Sequence, residues 1–165
     1  MPFYSIQSIF SIGHRPSCLF IFFPYPIEMS NKAYIVDGHL RAYKKGFNGV
    51  SSNPSSKKNR CIEPFRYQRE IYPTALKETM IKLIKSNFHS AILKYGEYYL
   101  HFEIRSGILK RVSDLEILLI PDKHEIHFRS VSRVGFWDLG FNRRLINKIQ
   151  KFLQQEIQSH HSLNH

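Results

Sequence analysis

Apolar and polar residues alternate along four successive stretches in the second half of the chain. Ala91–Tyr95 leads through Gly96-Glu97 into Tyr98–Arg105, where Tyr98, Leu100, Phe102 and Ile104 alternate with Tyr99, His101, Glu103 and Arg105. Val112–Ile120 follows, with Leu115, Ile117 and Leu119 opposite Asp114 and Glu116, and Glu125–Arg133 comes last. A period of two sends alternate side chains to opposite faces, so these stretches predict antiparallel strands with one buried face. On either side of them the spacing becomes helical. Leu76, Met80, Leu83 and Ile84 predict a helix over Thr74–Ser86, with Thr74 as its N-cap and Asn87 as its stop. Leu145, Ile146, Ile149, Phe152 and Leu153 predict another, capped by Asn142 and running to about Gln158. The order α-β-β-β-β-α makes an α+β domain, a four-stranded antiparallel meander covered on one face by two helices.

The rest of the chain is organised differently. Met1–Glu28 reads as a poorly specified extension. Its apolar run Cys18–Phe23 is cut off by Pro24 and Pro26, far short of the roughly 20 residues that cross a bilayer. No small-x-small cleavage pattern follows that run, so the blander account is that translation starts at Met29; export or membrane attachment through the segment is the alternative. Residues 29–158 form one domain, of which 31–61 is a loop-like arm punctuated by Gly38, Gly46, Gly49 and Asn53-Pro54. Ile62–Phe65 is extended because Pro64 disfavours a helical residue before it. The tail 159–165 frays.

Composition narrows the classes. In 165 residues, 42% hydrophobic and 14% aromatic content supports a folded core, which excludes a largely disordered chain. The mean hydropathy of −0.32 argues against a polytopic membrane protein. Two cysteines, Cys18 and Cys61, make neither a disulfide framework nor a four-thiolate zinc site. No nucleotide-binding, metalloprotease or nucleophile-elbow motif occurs. The reading therefore assigns no cofactor and no metal. The net charge of +11 resides wholly in Met29–His165, because Arg15 and Glu28 are the formal charges before it. Its lysines and arginines are scattered rather than striped, which favours a solvated surface over nucleic-acid binding.

Three places carry candidate chemistry. The face opposite the helices bears His101, Glu103, Arg105, Asp114, Glu116, Glu125, His127 and Arg129. With a tight turn at Pro121-Asp122, Glu116 is expected across from His127 and Asp114 across from Arg129. Such pairs, worth about 0.2–1 kcal/mol each, fit an ordinary solvated face; the functional alternative is a hydrolase or transferase site using Asp114, His127 and Glu116, which needs the arm folded over it. Second, Arg143 and Arg144 sit in the first turn of the last helix, where the dipole disfavours cations. Either Asp138 or Asp114 compensates them, or the helix start and both guanidinium groups hold an anion. Third, Ser51-Ser52 offers hydroxyls, but no base can be placed beside them. Cys61 reads as an inert thiol, and the tail histidines His160, His161 and His165 lack support for a metal.

Phe128-Arg129-Ser130-Val131-Ser132-Arg133-Val134-Gly135-Phe136-Trp137-Asp138-Leu139-Gly140-Phe141-Asn142-Arg143-Arg144 resembles the RSxSRxGxxDxGxNR signature of the bacterial and plastid family called domain of unknown function 1499. Val50-Ser51-Ser52 with Ile62-Glu63-Pro64-Phe65 is similar to its VSS…IxPL, and Val112-Ser113-Asp114-Leu115-Glu116 to its DDVEF, so the resemblance spans about Val36 to Ile157. It implies a polar cluster of Asp114, Arg129, Ser130, Ser132, Arg133, Asp138, Asn142 and Arg143, and no reaction. The cluster reads either as a site for an anionic group or protein partner, or as a structural clasp. Tyr43 and Gly49 stand where relatives carry two cysteines, which implies a lost disulfide and a reducing, cytoplasmic setting. Ser113 and Leu145 replace an acid and an arginine of the pattern, which weakens a two-carboxylate mechanism. The expected function is a non-enzymatic binding or structural module; the alternatives are the sheet-face enzyme and peripheral attachment to acidic membrane.

Overall fold

The computed structural model of the chain describes residues 35–106 and 111–162, without the side chains of 160–162. The expectations for Met1–Glu28, Cys18 and the tail histidines lie outside the described residues. A two-residue hairpin opens the described chain, β1 (Ile35–Val36) paired with β2 (His39–Leu40). There follow β3 (Gly49–Ser51), β4 (Phe65–Arg66), α1 (Pro73–Asn87), β5 (His89–Tyr95), β6 (Tyr99–Arg105), β7 (Val112–Ile120), β8 (Glu125–Ser132) and α2 (Phe141–Ser162).

The alternating stretches form the strands the pattern predicts, but the sheet is six-stranded, not four-stranded. Its order is β3-β8-β7-β6-β5, with β4 beside β3 on the outer edge of β8. β3 pairs with the end of β8 (Ser51 with Arg129) and β4 with its start (Phe65 with Ile126). Part of the loop-like arm thus completes the sheet, and every pairing is antiparallel.

The helix caps differ from expectation. Pro73 takes the first position of α1 with Tyr72 before it, so Thr74 lies inside the helix. Proline suits that position because its missing N–H would have no helical partner there. Asn142 likewise sits inside α2, which begins at Phe141 and continues past Gln158 to Ser162.

Both helices cover one face of the sheet. Phe102, Phe128, Leu100, Leu115, Ile117 and Ile126 are buried there against Met80, Ile84, Ile146 and Ile149. Burying each such side chain contributes roughly 1.5–3 kcal/mol. The second face is not the open surface expected. Leu40 of β2 packs on Tyr99, Leu118 and Ile120, and Glu116 and His127 are only 1% and 5% exposed.

Candidate functional site

The register between β7 and β8 decides which charges meet. Pro121–Lys123 forms a short 3-10 turn and His124 adopts left-handed backbone (φ 54°). The connection is two residues longer than a tight hairpin, so Glu116 faces Arg129 and Leu118 faces His127. The expected Glu116–His127 and Asp114–Arg129 pairs are replaced. A slip of two leaves every side chain on its expected face while changing its partner.

On that second face the charged residues the sequence named pair with one another among the described residues, although the buried Arg129 Nε has no hydrogen-bond partner. Arg129 Nη1 bonds Glu116 Oε2, and Tyr99 Oη donates to Glu116 Oε1 at 3.2 Å. Arg133 grips Asp114 with Nε at 3.0 Å and Nη2 at 2.8 Å, and reaches Glu103 with Nη1 at 2.7 Å. Arg105 Nε takes the other Glu103 oxygen at 2.7 Å, and His101 Nε2 lies 2.9 Å from Asp114 Oδ1. Burial alone would raise the Asp114 carboxyl. The hydrogen bonds and charges of His101 and Arg133 overcome it and hold the pKa at about 2.

The other half of the sequence-predicted cluster lies across the sheet. Ser130 Oγ donates to Asn142 Oδ1 at 2.6 Å. Asn142 Nδ2 reaches Ser132 Oγ at 3.0 Å, Asp138 Oδ2 at 2.9 Å and Asn48 O at 2.8 Å. Asp138 accepts the Asn142 backbone N–H at Oδ2 and the Gly140 N–H at Oδ1, both at 3.0 Å. Asp138 therefore performs the capping that the sequence assigned to Asn142, and its negative charge suits the helix start. Asn142 and Ser130 are 0% exposed. Seven of the eight predicted residues thus form two groups: Asp114, Arg129 and Arg133 on one face; Ser130, Ser132, Asp138 and Asn142 on the other. Arg143 joins neither.

Neither Arg143 nor Arg144 meets the carboxylates proposed for them. Arg143 Nη2 donates to Asn59 O and Cys61 O at 2.9 and 3.0 Å, and Arg144 Nη1 to Leu139 O at 2.8 Å. Backbone carbonyls satisfy these cations, while Asp138 has Arg60 as its ion-pair partner at 3.8 Å.

Two features escaped the sequence reading. Ser52 Oγ lies 3.1 Å from His127 Nδ1, whose Nε2 lies 3.1 Å from Glu125 Oε2, so a base does stand beside the serine. Ser52 Oγ also accepts the Phe128 N–H at 2.9 Å while Ser52 N donates to Phe128 O at 2.8 Å. The hydroxyl thus replaces a rung of the ladder beyond β3, and Ser52 is 3% exposed. Burial first, then the charges of His39 and Lys123, lower the His127 pKa despite the opposing effect of Glu125. The signal was in the sequence only as Val-Ser-Ser, 75 residues from its partner.

The second feature is the β8–α2 turn. Val134, Phe136, Trp137 and Leu139 are 67%, 75%, 58% and 51% exposed. Asn48 Nδ2 pins this turn at Ser132 O and Gly135 O, and Arg111 Nη1 donates to Trp137 O at 2.9 Å. Three large apolar residues between Gly135 and Gly140, with Val134 just before them, were the sequence signal where turns are normally polar.

Among the described residues no helix is long and apolar enough to cross a membrane, and no three or more His, Cys, Asp or Glu side chains gather as metal ligands would. The sequence pattern of the family described as Protein of unknown function (DUF1499) matches residues 39–153. Comparison with curated proteins and with solved structures found no match.

Proposed function

Because the chain belongs to the DUF1499 family, whose description assigns no activity, we propose from the geometry that it is a non-enzymatic interaction module. In this reading the polar cluster is a scaffold, and the β8–α2 turn is the part held out for contact. One observation carries it: the cluster's guanidinium groups already have carboxylate or carbonyl partners, while the apolar side chains of the turn are exposed. An anion entering between Arg133 and Asp114 would have to displace a bidentate pair, which costs more than it returns.

A thermal titration with inorganic phosphate tests the scaffold role. The expected result is no saturable rise in thermal midpoint beyond that given by chloride at equal ionic strength. A saturable rise that Arg133→Ala abolishes would identify an anion site and overturn the reading.

The Ser52–His127–Glu125 contact supports a second reading, a serine hydrolase. Against it stand the burial of Ser52 and the backbone N–H already bonded to its oxygen. Labelling of Ser52 by a fluorophosphonate, lost in His127→Gln, would favour this second reading over the first.

A further inference from the structure

From the same turn, and resting on the reading of it as a contact surface, we infer that the partner is the surface of an anionic lipid bilayer. The first reason is the kind of side chain exposed. Phe136 and Trp137 are amphipathic-interface residues, and Val134 and Leu139 add aliphatic surface that nucleic-acid stacking does not use.

The second reason is the charge around them. Phe136 packs on Phe47 with ring centroids 5.1 Å apart. Lys57 Nζ and Arg60 Cζ each lie 5.3 Å from the centroid of that Phe47 ring. Arg111 and Arg144 bond the carbonyls of Trp137 and Leu139 themselves. Three cations, Lys57, Arg111 and Arg144, therefore lie on the turn's carbonyls or on the Phe47 ring against which it packs. Arg60 beside them is 13% exposed and pairs with Asp138. The one carboxylate in the turn, Asp138, is 1% exposed and bonds inward to Gly140 and Asn142. An apolar tip ringed by cations matches acyl chains beneath anionic headgroups. A second copy of a chain of net charge +11 would bring like charge against like.

The third reason is preorganisation. Leu139 holds left-handed backbone (φ 52°) beside Gly140 (φ 76°), and the bonds to Asn48 and Asp138 fix the strand and helix on either side. Little order remains to be imposed on binding.

Trp137 is the sole tryptophan, so its fluorescence reports this turn alone. The full chain is mixed with vesicles of phosphatidylcholine, or of phosphatidylcholine with about one-third phosphatidylserine, and binding is measured by sedimentation and Trp137 emission. The expected result is binding to the anionic vesicles with a blue shift and weakening at high salt. Affinity falls about tenfold or more in Phe136→Ser/Leu139→Ser, as expected when buried apolar area is lost. Equal binding to both vesicle types would overturn the anionic requirement, and binding to neither would overturn the lipid assignment. Concentration-dependent self-association that shifts Trp137 and is lost in the variant would give the turn to a second copy, keeping it as a contact surface while overturning lipid. Vesicle binding with Trp137 emission unmoved would overturn both the lipid assignment and the role of the turn.

Discussion

Asp138 Oδ2 accepts both the backbone and the side-chain N–H of Asn142, at 3.0 and 2.9 Å. This pair joins the start of α2 to β8 through Ser130 and Ser132, and to the arm through Asn48. Because Asn142 is fully buried, its truncation leaves several polar groups without partners at once. Asn142→Ala is expected to cost about 3 kcal/mol or more, a fall of roughly 10 °C in thermal midpoint. Calorimetry measures it directly; a fall below about 2 °C would mean the network holds little.

The Glu116–Arg129 pair predicts that removing both charges costs less than removing one. Glu116→Gln strands a guanidinium that is 13% exposed and costs about 3 kcal/mol. Replacing both, as Glu116→Leu/Arg129→Met, should cost less than the single change, since neither charge is then desolvated without a partner. Denaturant unfolding of the wild type and the two variants checks the order, and a double variant worse than the single one contradicts it.

Gly49 sits where there is no room for a side chain. A Cβ at this position would lie 2.8 Å from Tyr43 Cε2, 2.7 Å from Val131 Cγ2 and 3.0 Å from Ser130 O. The Tyr43 ring thus occupies space at the position where Gly49 lacks a side chain, and its hydroxyl donates to Asn48 Oδ1 at 2.5 Å. Gly49→Ala should destabilise by about 1–3 kcal/mol through overpacking. In a Tyr43→Ala background part of that cost should vanish, a coupling a double-mutant cycle detects. Strict additivity would show that the two positions do not share the space.

Asp114 sets a pH dependence. Its folded pKa is held below that of the unfolded chain, so the stabilisation is complete above about pH 4 and is lost as the pH falls towards 2. The contribution at neutral pH is roughly 2 kcal/mol. Unfolding free energy measured from pH 5 to pH 2 should fall more steeply in the wild type than in Asp114→Asn. Parallel curves would show that Asp114 does not carry the effect.

The sequence made the long elements legible because their periodicity could be counted over seven or more residues. β3 is three residues long, and no period is visible at that length, so the arm read as loop. β4, two residues long, begins in the Ile62–Phe65 stretch that Pro64 marked as extended. The β7–β8 register depended on whether His124 would extend the turn through left-handed backbone. The division of the polar cluster was legible in principle. Arg129 and Ser130 are adjacent in one strand, and adjacent strand residues point to opposite faces. Grouping them by family signature placed them together; strand parity separates them. The contact between Ser52 and His127 could not be read locally, because it depends on β3 pairing with β8.

The buried Asn142 network holds the turn, and the exposed Phe136 and Trp137 side chains stand apart from that hold. One comparison tests that separation: thermal midpoint and sedimentation with anionic vesicles, measured together for Asn142→Ala and for Phe136→Ser/Trp137→Ser. The exposed pair should keep the wild-type midpoint within about 2 °C and lose vesicle binding, while Asn142→Ala should lose the midpoint. A Phe136→Ser/Trp137→Ser protein that binds vesicles like the wild type, or an Asn142→Ala protein as stable as the wild type, would contradict it.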